Sequence, residues 1–98
     1  MNRNNTVSAV IPTKNRPQLV LRAVRSALAQ TYSDMEVIVV IDGPDDATES
    51  ALAEIPDKRL RVIVLPKPMG AGTARNVGVE AAWGDWIALL DDLSLIHI

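Results

Sequence analysis

Four short runs rich in β-branched residues, at 7–11, 36–41, 60–65 and 86–90, alternate with three longer stretches whose apolar residues recur at helical spacing. Short apolar runs suit strands, and recurrence every three or four residues suits helices that bury one side. This alternation restricts the chain to strand–helix–strand repeats, whose crossovers make neighbouring strands parallel and connections right-handed. The runs are apolar almost throughout, as parallel strands covered on both faces require. The expected fold class is therefore α/β, a Rossmann-like βαβαβαβ half of a doubly wound domain with a parallel sheet. At 98 residues the chain is one domain or a piece of one, and two packed domains are excluded.

The first helix is expected over 17–30, where Leu19, Val20, Ala23, Val24, Ala27 and Leu28 form one stripe. Pro17 suits its first turn, because the N–H that proline lacks would have no partner there. A second helix is expected over 47–55, with Asp46 and Glu49 at capping-box spacing and Ala51, Leu52 and Ile55 facing inward. The third, over 71–82, has a small inward face of Ala74, Val77, Gly78, Ala81 and Ala82, and Gly84 ends it. Gly78 costs that helix about 1 kcal/mol relative to alanine, so close packing against the sheet is expected there. Trp83 and Trp86 are read as packing anchors rather than a sugar-stacking platform.

The pattern supports a domain over 1–92. Residues 93–98 bring an apolar run with one histidine where a polar loop should follow the fourth strand, and they are read as a non-native tail. His97 has no histidine or cysteine to pair with and receives no role. A sheet cut after its fourth strand would leave an apolar edge and face uncovered.

Composition removes several function classes. The net charge is -2 and the ten basic residues are scattered, so nucleic acid is not an expected partner. With no cysteine there is no disulfide framework and no thiolate metal site or nucleophile. Residues 1–6 lack the apolar stretch of a secretion signal, and no run approaches the roughly 18 apolar residues of a membrane span. Cytoplasm is the default location, with membrane association left open for a longer chain.

In an open parallel sheet, ligands bind beyond the carboxyl ends of the strands. The loops there are Pro12-Thr13-Lys14-Asn15-Arg16, Asp42-Gly43-Pro44-Asp45-Asp46, the segment 66–72 ending in Gly70-Ala71-Gly72, and Asp91-Asp92. Gly70-Ala71-Gly72 opens a helix whose backbone N–H groups and positive dipole end could face an anion, with Arg75 one turn inside, or it is simply a turn. The dinucleotide fingerprint fails, since it belongs after the first strand and needs a third glycine where Arg75 stands. Asp42 is either a turn-forming carboxylate before Gly43 or a ligand for a base or ribose. Asp45 and Asp46 read as a solvated turn and a helix cap. Asp91 and Asp92 place two like charges side by side, tolerable at an exposed strand end or beside a hard divalent ion.

Five segments in order carry a family resemblance: Val-Ser-Ala-Val-Ile-Pro-Thr-Lys-Asn-Arg-Pro at 7–17, Ala-Leu-Ala-Gln-Thr-Tyr at 27–32, Glu-Val-Ile-Val-Val-Ile-Asp-Gly at 36–43, Gly-Thr-Ala-Arg-Asn-Val-Gly at 72–78 and Gly-Asp-Trp-Ile-Ala-Leu-Leu-Asp-Asp at 84–92. Over 7–92 the chain resembles family 2 glycosyltransferases of the GT-A fold. The resemblance implies that the parent protein is an inverting glycosyltransferase. It would pass a sugar from a nucleoside-diphosphate sugar to the hydroxyl of a saccharide or lipid-linked acceptor, with Mg²⁺ or Mn²⁺ as cofactor. It implies that Pro12, Thr13, Asn15, Arg16, Asp42, Arg75, Asp91 and Asp92 bind the nucleotide sugar, Asp42 at the base, Arg75 near the base and diphosphate, and Asp91 and Asp92 also at the metal. Two positions depart from the family pattern: Ile41 replaces the first of an Asp-Asp pair, and Leu93 stands where Asp-x-Asp has its second carboxylate. Strand alternation would also turn Asp91 and Asp92 apart. The family's catalytic base lies downstream, so no catalytic residue is expected in this chain and the chain alone is expected to be inactive. A non-catalytic nucleotide-binding domain is the alternative. A sugar nucleotidyltransferase is a further one, although it would need a glycine-rich loop where 12–16 has no glycine.

Overall fold

The computed structural model describes residues 6–29 and 34–92. Its elements run β1 (Val7–Thr13), α1 (Pro17–Leu28), β2 (Met35–Ile41), α2 (Asp46–Ala53), β3 (Leu60–Val64), α3 (Ala71–Ala81) and β4 (Trp86–Leu89). The expected βαβαβαβ order holds. The readings placed on 93–98, His97, Leu93 and residues 30–32 lie outside the described residues.

All strand pairs are parallel and the sheet order is β3-β2-β1-β4. From β1 the chain steps outward through β2 to β3, then returns through α3 to place β4 on the far side of β1. The order therefore reverses between β1 and β4. Helices α1 and α2 cover one face, where Val20, Ala23, Val24, Ala27 and Leu52 pack on Ala9, Ile11, Val37, Val39 and Ile41. Helix α3 covers the other, with Ala74, Val77, Ala81 and Ala82 against Ile38, Val40, Ile63 and Leu65. Alternation along each strand feeds the two cores, since every second residue turns to the same face.

β1 outlasts its expected end because Pro12 and Thr13 still pair with Val40 and Ile41 of β2. On the β4 side the ladder stops earlier. The Val10 carbonyl accepts the Leu90 N–H at 3.0 Å, and two residues on, Pro12 has no N–H with which to continue. A proline in the central strand thus parts β1 from β4 at their carboxyl ends, where the strand order reverses.

Gly78 packs as its helix position demands. A Cβ there would lie 2.4 Å from Val10 Cγ1 and 3.1 Å from Val40 Cγ2, so α3 rests directly on the sheet. Gly78→Ala gains about 1 kcal/mol of helix propensity but overpacks a buried contact at roughly 1–3 kcal/mol. A net loss of about 1 kcal/mol is expected in urea unfolding; a gain would show that Val10 gives way freely.

Three expectations are corrected. The cap of α2 is Asp45, whose side chain accepts from the Thr48 N–H, rather than Asp46, which is the first helical residue. Trp83 and Trp86 are 55% and 64% exposed, so neither anchors packing among the described residues. Coverage on both faces holds for β1 and β2 but not for the outer strands, where Val62, Val64, Ile87 and Leu89 remain exposed.

At the amino end of the sheet, Glu36 is 1% exposed. It accepts from Ser8 Oγ at 2.6 Å, Arg61 Nη1 at 2.6 Å and the Trp83 N–H at 2.7 Å. Ser8 Oγ in turn accepts the Gly84 N–H at 2.8 Å, and Arg61 Nη1 also donates to the Ala81 carbonyl at 2.9 Å. One carboxylate thereby joins β1, β2, β3 and the end of α3. Gly84 permits the approach, because a Cβ on it would meet Ser8 Oγ at 2.6 Å.

Candidate functional site

The opposite, carboxyl edge of the sheet carries a cleft of about 350 Å³. This is within the size range of small-molecule sites. All eight residues expected at the nucleotide-sugar site border it: Pro12, Thr13, Asn15, Arg16, Asp42, Arg75, Asp91 and Asp92, joined by Lys14 and Ala71. They come from the ends of β1, β2 and β4 and from the first turns of α3. The cleft opens where the strand order reverses, the place at which doubly wound sheets leave a crevice.

Three carboxylates fix the loops around it. Asp92, 5% exposed, accepts from Thr13 Oγ1 at 2.8 Å and from Arg16 Nη1 at 3.1 Å. Those bonds join the end of β1 to the end of β4 across the gap that Pro12 opens. Asp42, 8% exposed, accepts the Met69 N–H at 2.6 Å and the Gly70 N–H at 3.1 Å, and its own N–H donates to the Thr13 carbonyl at 2.9 Å. Its carboxylate therefore latches the β3–α3 loop, a contact that neither reading of the sequence named. Gly43 completes that junction at φ 102°, where a Cβ would meet the Pro68 ring at 3.0 Å.

Asp45 is the third. Beyond capping α2 it accepts the Asn15 N–H at 3.0 Å, holding the β1–α1 loop where Asn15 takes the left-handed φ of 54°. Asparagine tolerates that region better than most residues. The Thr48 hydroxyl foremost, then the Thr48 and Asn15 N–H groups, hold the Asp45 carboxyl below its ordinary value. Its part beside the cleft was not visible in the sequence. The Asp45-x-x-Thr48 spacing signals the cap, but nothing local signals a partner thirty residues earlier.

Asp91 and Asp92 both border the cleft, Asp91 exposed and Asp92 nearly buried. β4 ends at Leu89, so strand alternation no longer governs them. Among the described residues no group of three His, Cys, Asp or Glu side chains could hold a metal ion. Two adjacent carboxylates nevertheless fit a hard divalent ion of the Mg²⁺ kind, which characteristically takes one or two carboxylates and completes its shell with substrate phosphates and water. Lys14, Arg16 and Arg75 set three cationic side chains beside the carboxylates of Asp42, Asp91 and Asp92 that line the cleft. That mixture suits a ligand with an anionic centre and polar, neutral ends.

Comparison with known proteins agrees with this architecture. The family model described as glycosyl transferase family 2 matches residues 8–92. The succinoglycan biosynthesis protein ExoO of Rhizobium meliloti is 47% identical over 85 residues, 87% of this chain and 24% of that protein. The Escherichia coli UDP-Glc:alpha-D-GlcNAc-diphosphoundecaprenol beta-1,3-glucosyltransferase WfgD is 33% identical over 85 residues, 87% of this chain and 34% of that protein. Among solved structures, the mannosyltransferase PcManGT from Pyrobaculum calidifontis in complex with GDP-Man and Mn²⁺ aligns at a TM-score of 0.83 with 26% identity, over 91% of this chain and 28% of that one. The chain therefore spans about a quarter to a third of the length of these relatives.

Proposed function

The chain belongs to glycosyl transferase family 2, and from that premise we propose that it forms the donor-binding part of an inverting glycosyltransferase. The complete enzyme would move a sugar from a nucleoside-diphosphate sugar to an acceptor hydroxyl. The observation that carries this reading is the gathering of Thr13, Asp42, Arg75, Asp91 and Asp92 around one cleft at the reversal of strand order.

In this reading Asp42 lies at the base, Thr13 and Asn15 line the nucleoside, and Arg16 and Arg75 face the diphosphate. Asp91 and Asp92 would hold Mg²⁺ or Mn²⁺, which when bound offsets the charge developing on the departing diphosphate. A mannosyltransferase solved with GDP-Man and Mn²⁺ supports that choice of ion. The chain's own contribution is placement: the latches on Asp42 and Asp45 and the Thr13–Asp92 bond preset the loops, so little ordering remains to oppose binding. The base that takes the acceptor's proton is assigned to none of the described residues, and the chain alone is expected to show no turnover. A lipid-linked acceptor, of the kind named for the Escherichia coli relative, would bring the enzyme to a membrane surface. No helix among the described residues is long and apolar enough to cross one.

Calorimetric titration of the folded chain with UDP and with GDP, each with and without Mn²⁺, tests the reading. At least one diphosphate is expected to bind, and more tightly with the metal. Absence of heat with both, in a chain whose circular dichroism shows it folded, overturns it.

A further inference from the structure

Asp92 occupies an unusual position for a metal-binding carboxylate, because a cation already sits on it. Its Oδ1 is paired with Arg16 Nη1 at 3.1 Å, and its Oδ2 accepts from Thr13 Oγ1 at 2.8 Å. The two side chains differ sharply in exposure, 51% for Arg16 and 5% for Asp92. The arginine thus reaches inward from solvent to a nearly buried anion. A guanidinium has donors only and keeps its charge, so it cannot share an oxygen comfortably with a divalent ion. Bringing the ion to Asp92 sets a second cation against the same carboxylate, and the half-exposed Arg16 has solvent and cleft to move into. Thr13 faces no such conflict, since a neutral hydroxyl can stay on Oδ2.

We propose that Arg16 is a positioning residue that works by exchanging partners. In the nucleotide-free chain it neutralises Asp92 and keeps the end of β1 docked on the end of β4. When a nucleoside diphosphate enters with its divalent ion, Asp92 passes to the ion and the guanidinium passes to diphosphate oxygens. The inference rests on the donor-binding reading above and adds to it a thermodynamic coupling. Metal alone must displace Arg16 without offering it a new anion, whereas metal with diphosphate supplies one. Each ligand therefore strengthens the other by the same factor, as linkage requires. The device discourages occupation of the site by a bare ion.

The test measures Mn²⁺ binding to the chain by electron paramagnetic resonance, first without nucleotide, then with UDP or GDP, in the wild type, Arg16→Gln and Arg16→Lys. Arg16→Gln is expected to bind Mn²⁺ alone about fivefold more tightly, the scale of a half-exposed ion pair removed. It should bind nucleotide more weakly, and the mutual strengthening of metal and nucleotide should shrink. Arg16→Lys keeps the charge and should keep the wild-type Mn²⁺ affinity within about twofold. Loosening of the loop, the merely structural explanation, would weaken Mn²⁺ binding in both variants. Equal or weaker Mn²⁺ binding in Arg16→Gln overturns the exchange even where nucleotide still binds. Tighter Mn²⁺ binding in a protein that takes neither UDP nor GDP would instead sink the donor-binding reading.

Discussion

Glu36→Leu is expected to lower the stability of the chain by about 3 kcal/mol, because it strips the acceptor from one buried and one partly buried donor at once. The leucine keeps the site filled but carries no polar atom, so the loss is chiefly of hydrogen bonding. Ser8 Oγ and the Trp83 N–H would be left without the carboxylate they now reach at 2.6 and 2.7 Å. Arg61, whose side chain is 42% exposed, can turn to water and contributes less to the loss. For a domain of this size the change corresponds to roughly 15 °C in melting temperature, a large share of the 5–15 kcal/mol that holds such domains folded. Glu36→Gln, which keeps one acceptor oxygen, should lose only about 1 kcal/mol. Thermal unfolding followed by circular dichroism checks both. A leucine variant that melts with the wild type would mean that water replaces the carboxylate at no cost. Since Glu36 lies at the amino edge of the sheet, nucleotide affinity of the folded variant should not move.

Asp42→Ala is expected to weaken nucleotide binding by roughly tenfold to a hundredfold, as charge-assisted bonds to two backbone N–H groups are lost. Met69 and Gly70 would no longer be tied to the end of β2, and Gly70 is the residue from which α3 starts. Arg75 rides on that helix, so the diphosphate side of the cleft loosens with it. Comparing UDP with GDP separates the latch from a direct contact to the base. A latch alone weakens both nucleotides by the same factor, whereas a base contact changes their ratio. Unchanged affinity for both would show that the β3–α3 loop keeps its position without Asp42.

The strand and helix pattern was legible because it is written in local periodicity. The apolar stripe from Leu19 to Leu28 and the β-branched run ending at Ile41 gave elements whose observed bounds lie within two residues of the expected ones. Boundaries missed where a distant partner set them: β1 continues through Pro12 and Thr13 because β2 still pairs there. Trp86 was misjudged because burial depends on what covers a strand, and β4 is an outer strand among the described residues; Trp83 lies in the connection just before it. The cap of α2 fell to Asp45 although only Asp46 stands three residues before Glu49, because the backbone is extended at Asp45 and already helical at Asp46.

The candidate site divides the same way. Which residues would border the cleft followed from the sequence, since each stands at or just past the carboxyl end of a strand or in the first turns of a helix, and parallel strands bring those positions to one edge. What each side chain does there did not follow. Asp92 with Arg16, Asp42 with Gly70 and Asp45 with Asn15 are partners separated by 76, 28 and 30 positions. Periodicity encodes only how a residue faces its own element, a matter of 3.6 or 2 residues per turn of the pattern. Hydrogen bonds between loops depend on where the sheet reverses its order and how far β1 and β4 part, and those were fixed only when the elements packed together.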